Sequence, residues 1–250
     1  MSKNIGIGAL ALLLAACGAF QARHAGPRSP EPPVSPIDQG SPGAIYRVDE
    51  TASELRILVY RAGPLARLGH NHVIVNRRLG GEVKLADAAG ASAFWLSVPS
   101  AAFDVDGAQA RAEEGTDFTT AVPDDAKSGT LQNMLSAAVL DAAEFPAITV
   151  RSVAVAGTQG TESPGAAGAT DATRTMAASV TVRVAGHEST FDVPFTLQME
   201  TGRLTATGTL ELRQSALGLA PYSLMLGALQ VQDQMTVKFK IVALAGREPI

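Results

Sequence analysis

Gly69-His70-Asn71-His72 is the segment whose residue types and spacing bear most directly on chemistry. On a strand, positions i and i+2 share a face, so the two imidazoles would point the same way. Three uses stay open for such a pair. They hold a metal ion with a third ligand from elsewhere, they hydrogen-bond the head group of a ligand, or they cap a loop at the rim of a sheet. His24 lies in a proline-rich segment and His187 in a turn, so a third metal ligand would be a carboxylate. Arg61 stands just upstream and continues the alternation of Leu55, Ile57 and Val59. If it points inward it needs an anionic partner or ligand group; Gly63-Pro64 argues that the strand ends there. Asp104-Val105-Asp106-Gly107 starts like a calcium loop but lacks the distal bidentate glutamate, and reads as a solvated turn. Glu113, Glu114, Asp117, Asp124 and Asp125 read as a wet acidic surface. No Gly-rich phosphate loop, serine elbow or paired acid–base spacing stands out, so catalysis is not expected.

Cys17 is the one cysteine of 250 residues. A lone cysteine excludes an intramolecular disulfide framework and a cysteine-based zinc site. Its neighbours give it another use. Lys3 is followed by an apolar run from Ile5 to Leu14, too short to span a bilayer, and Leu14-Ala15-Ala16-Cys17 has the form of a bacterial lipobox. Residues 1–16 are therefore expected to be a lipoprotein signal peptide, and Cys17 the site that receives acyl chains such as palmitate. Several acyl chains anchor stably where one is marginal. Gly18 after the cysteine favours the outer membrane of a Gram-negative envelope, with the protein facing the periplasm. Residues 17–44 carry prolines at 27, 30, 32, 33, 36 and 42 and read as an extended tether. The net charge of −4 provides no broad electrostatic grip on nucleic acid.

The elements that must position the histidines are strands. From residue 45 to residue 250 the dominant period is two: Leu55, Ile57, Val59; Val180, Val182, Val184; Phe191 to Met199; Leu204 to Leu212; Met235 to Ile241. Half-buried antiparallel strands read this way, and many of them at short spacing indicate a sandwich or barrel. Ala185-Gly186 and Thr201-Gly202 fit hairpin turns. Pro194 belongs at an edge or bulge, since it cannot donate to a ladder. Leu131, Met134, Leu135 and Val139 share a helical stripe, so a helix is expected over Leu131–Ala143, capped by Thr130 and closed by Phe145-Pro146. Residues 157–174 offer little to bury and read as a long hairpin loop. Trp95 sits in an apolar strand, where core packing is the default.

With these residues in view, the chain from Ile45 to Ala245 resembles the YceI-like family of bacterial lipid-binding proteins. The resemblance rests on Tyr46-Arg47-Val48-Asp49, on Ser53 and the strand to Tyr60, and on Ser136-Ala137 with Asp141. It rests further on Glu144-Phe145-Pro146-Ala147-Ile148, on the hairpin at Gly186, and on the closing strands around Leu210–Gly218 and Val231–Ala243. It implies an all-β, extended up-and-down lipocalin-like barrel with one short helix near its mouth. It also implies a non-catalytic protein that binds an isoprenoid, a quinone or another amphiphile in an apolar interior. His70, His72 and Arg61 would then be candidate head-group contacts. The alternatives are a metal-binding envelope protein using His70 and His72, and a structural protein with a filled barrel.

Overall fold

The structure, a computed structural model, describes Ile37 and residues 43–157 and 172–246. The expected leader over 1–16, Cys17, nearly all of the expected tether over 17–44 and most of the expected loop over 157–174 lie outside the described residues.

Among the described residues, twelve strands form a single antiparallel sheet: β1 (Ala44–Val48), β2 (Glu54–Ala62), β3 (His72–Asn76), β4 (Gly80–Leu85), β5 (Ala93–Pro99), β6 (Phe103–Val105), β7 (Ala147–Gly157), β8 (Ala172–Val184), β9 (His187–Glu200), β10 (Arg203–Arg213), β11 (Ser223–Leu224) and β12 (Leu229–Ala245). The long β12 closes it. Its first part pairs with β2 (Val237 opposite Ile57) and its last residues pair with β1 (Ala243 opposite Val48). In the same way β3 and β4 line up behind β2 and β1, and β6 and β5 behind those. Each of these three pairs is one bent stave. With β7, β8, β9, β10 and β12 they make an eight-stranded up-and-down barrel, the lipocalin-like architecture that the family resemblance implied and one of the two, sandwich or barrel, that the period-two pattern allowed.

Local chemistry sets the bends. Gly81 has φ 152°, and a Cβ there would stand 2.2 Å from the Trp95 carbonyl oxygen, so only glycine lets β4 approach β5 this closely. In β7 a bulge between Ser152 and Ala154 leaves Val153 unpaired and 65% exposed. The extra residue resets the alternation, so that Val155 joins Ile148 and Val150 on the inner face. The turn joining β8 to β9 is two residues, Ala185 (φ 47°) and Gly186 (φ 77°), the left-handed pair that a tight hairpin needs. The Phe145 ring lies against Gly186, 2.9 Å from where a Cβ would be. Pro194 sits where β9 has lost its β10 neighbour: that ladder ends at Thr196 opposite Thr207, while β8 still pairs on the other side.

Several expectations are corrected. The helix runs over Asp124–Leu135 (α2), not Leu131–Ala143, and Pro123 rather than Thr130 stands at its start. Thr130 lies inside it, and its hydroxyl donates to the Ala126 carbonyl at 2.9 Å. Ser136 to Glu144 is a chain of turns, with Asp141 at φ 42°. The Leu131, Met134 and Leu135 stripe does pack against the core. Trp95 points outward, since it pairs with Glu82 and Arg151 between the inward Phe94 and Leu96. The acidic segment is not simply wet. α1 (Ala108–Ala112) and the turn at Phe118 cover the outer face of β2 and β3, burying Leu58, Val73 and Val75. Glu113 and Glu114 fasten that cover to Arg56 at 2.7 and 2.9 Å, and Glu114 also binds Lys238. Burial opposes the Arg56 charge, but the three carboxylates of Glu113, Glu114 and Glu54 outweigh it and hold the guanidinium above its ordinary value.

Candidate functional site

Two constructions attract attention, and they are separate. The first contains the histidines. His72 opens β3 directly opposite Val59, so its imidazole turns inward at the barrel end where α2 packs. Its Nδ1 donates to Asp106 Oδ2 at 2.6 Å. The other Asp106 oxygen accepts from the Val73 amide at 2.9 Å and from the Arg111 guanidinium. Arg111 also donates to the Asn71 and Thr120 carbonyls, and His72 Nε2 faces Thr130 Oγ1 on α2 at 3.4 Å. Asp106 is fully buried. Burial pushes its carboxyl up, but the His72, Val73 and Arg111 hydrogen bonds hold it below the usual aspartate value. A carboxylate in the reading frame of a loose turn is thus the hub joining β3, α1 and, through His72, α2. Its period-two relation to Asp104 was visible in the sequence; its burial was not, because α1 is what covers it.

His70 stands with its ring centroid 6.2 Å from that of His72. Burial, reinforced by His72, holds its imidazole below the ordinary histidine value. Among the described residues, no group of three or more His, Cys, Asp and Glu is arranged to hold a metal. Arg61 is exposed, and its guanidinium donates to the Gly69 carbonyl while its amide is held by Asn71. It closes the 63–71 loop. The described geometry thus gives His72 and Arg61 positioning contacts, sets His70 edge-on to His72, and places none of the three in the cavity lining.

That cavity is the second construction. It runs through the barrel with a volume of about 280 Å³, near the lower bound for small-molecule sites. Its walls are inward positions of every stave: Leu55 and Ile57 from β2, Val180 and Val182 from β8, Phe191 and Phe195 from β9, Val237 and Phe239 from β12. Among its lining residues the polar ones are Asp87, Ser92 and Arg174. All three lie at one end, in the β4–β5 loop and at the start of β8. The Ser92 hydroxyl is used within its own loop, on the Ala86 amide at 3.0 Å. Asp87 and Arg174 make no hydrogen bond or ion pair among the described residues. The arrangement is a greasy tube with two charges at its rim that have no partner among the described residues. At the other end Ser215–Leu217 closes in, its turn held by Asp233, which accepts from the Ser215 amide and hydroxyl at 2.8 and 2.6 Å. Sequence reasoning missed Asp87 and Arg174. Arg174 does fall in register with Met176 and Ala178, the signal that would have found it.

An eight-stranded antiparallel barrel with an apolar bore and a polar rim defines a lipocalin-like fold. The family model of the YceI-like domain matches residues 46–243, and the chain belongs to that family. No curated protein sequence matches it. Solved structures similar in fold include the following two. The Burkholderia cenocepacia BcnA structure has 16% identity and a TM-score of 0.53, covering 78% of this chain and 98% of that one. A polyisoprenoid binding domain from Saccharophagus degradans, described as implicated in plant cell wall breakdown, has 14% identity and a TM-score of 0.54, covering 82% and 100%.

Proposed function

We propose that this chain is a non-catalytic lipoprotein of the cell envelope that holds one isoprenoid, quinone or similar amphiphile in its barrel. The observation that carries the reading is the bore itself, whose polar residues are confined to one rim. An isoprenoid tail has no groups to hydrogen-bond, so apolar walls suffice to bind it, and each buried CH₂ contributes ~0.8 kcal/mol. The tail would lie along Val180, Phe195 and Val237, with the head group at the rim beside Arg174 and Asp87. The polyisoprenoid binding of the Saccharophagus domain supports this choice of ligand class.

The envelope location and the Cys17 anchor rest on the Leu14-Ala15-Ala16-Cys17 motif. Mass spectrometry of the N-terminal fragment of the envelope-fraction protein tests them: a chain that begins at an acylated Cys17 is expected, and an unmodified Cys17 thiol would refute the anchor. The ligand is tested by native mass spectrometry of a soluble form beginning at Gly43. A co-purified lipid mass that organic extraction removes is expected. A spectrum of bare protein, from cells rich in isoprenoids, would overturn the reading in favour of a filled structural barrel.

A further inference from the structure

The loop after β11 presents apolar side chains to solvent in a way the barrel does not require. Met225 (φ 50°), Leu226 (φ 55°) and Gly227 (φ 91°) are three consecutive left-handed residues. For methionine and leucine that conformation is strained, and strain of this kind persists where it displays something. What it displays is Leu226, fully exposed, and Met225, 73% exposed, with Leu224 beside them. The neighbouring 63–69 loop adds Leu68, 64% exposed. The two loops are locked side by side. The Leu65 amide donates to the Ala228 carbonyl at 2.8 Å, and Gly63 is pressed against the carbonyls of Gly227 and Ala228. Residues 61–70 and 219–230 carry Arg61 and Arg67 and no acidic residue, although the whole chain is net negative. Arg67 is exposed and has no ion pair among the described residues.

We infer that this tip, Leu224-Met225-Leu226 with Leu68 and Arg67, is a docking point for an anionic lipid surface. The shape selects the partner. A convex apolar point needs a matching groove on a protein, whereas a bilayer interface accepts it without shape complementarity. The two arginines beside it complement anionic lipid head groups. The site lies on surface loops outside the cavity lining, and it depends neither on what the barrel binds nor on Cys17.

The test uses residues 18–250, without the leader and Cys17, carrying Leu226→Cys labelled with an environment-sensitive fluorophore. Val153→Cys, exposed at the β7 bulge, is the control. On mixing with vesicles of phosphatidylcholine and phosphatidylglycerol, the label at 226 should shift to the blue and be quenched by lipid-borne quenchers, while that at 153 stays aqueous. In the same 18–250 chain without the label, Met225→Ser with Leu226→Ser should weaken vesicle partitioning at least about tenfold, the effect of withdrawing two apolar side chains from the interface. Arg67→Gln should weaken binding to the mixed vesicles about fivefold and leave binding to phosphatidylcholine alone unchanged. A label at 226 that stays aqueous overturns the inference. So does one that shifts with protein concentration before vesicles are added, which would assign the tip to a second copy of the chain.

Discussion

Asp106 accepts hydrogen bonds from His72, from the Val73 amide and from Arg111, all inside a covered pocket. Removing one partner of a buried charged network leaves the others unpaired, which is costlier than never having built it. Asp106→Ala should therefore destabilise the barrel by about 3 kcal/mol or more, read from urea unfolding. Asp106→Asn, which keeps an acceptor for Val73, should lose less. Because the folded carboxyl is held below its ordinary 3.8, this contribution is complete above that pH and disappears as acid drives the pH down through the folded value. His70 has the opposite charge type. Its folded imidazole is held below 6.5, so the unfolded chain takes up a proton first. Stability should fall as the pH drops from 6.5 toward the folded value and level off below it. Thermal unfolding across that window, compared with His70→Gln, checks the sign: the variant should show a flatter dependence.

At the scale of elements, the barrel depends on a few residues that break the period. Gly81→Ala would place a methyl 2.2 Å from the Trp95 carbonyl, at a φ that alanine rarely adopts. We expect a loss of about 2 kcal/mol or more, with the β4–β5 ladder the first region to gain amide exchange. The strands of β8 to β10 and β12 were legible because alternation is a direct record of one face wet and one face buried. The position of α2 was less so. The stripe from Leu131 to Leu135 is real, but Asp124 to Gly129 has no apolar face, and the helix extends there because Pro123 starts it. Val153 shows the same limit: five alternating letters in β7 cannot reveal that a bulge resets the phase midway.

For the whole molecule, the question is whether the bore is a binding site or merely a loosely filled core. Ala178 is 2% exposed and lines the cavity on β8. Ala178→Phe should fill the bore at a stability cost of about 1–3 kcal/mol, and the co-purified lipid should vanish from the native mass spectrum of the folded variant. Lipid retained by Ala178→Phe would place it outside the barrel. Arg174→Ala bears on the head group instead: an acidic ligand should bind several-fold more weakly, an uncharged one equally well.

The sequence by itself determined the class of fold, through the period-two strands and the Gly186 hairpin, and it pointed to the family through residues such as Phe145, whose ring proves to rest on that turn. It also marked the His70 and His72 pair as unusual. Tertiary structure decided what His72 is bonded to and where the apolar bore lies. A histidine's role depends on what stands opposite its nitrogens, and Asp106 reaches His72 from 34 residues away only because β6 pairs with β3. The rim charges Asp87 and Arg174 reach the same end of the bore only because the barrel closes. Hydrophobic alternation records which face is buried; closure and cover, set by contacts between distant segments, decide which polar groups that burial traps.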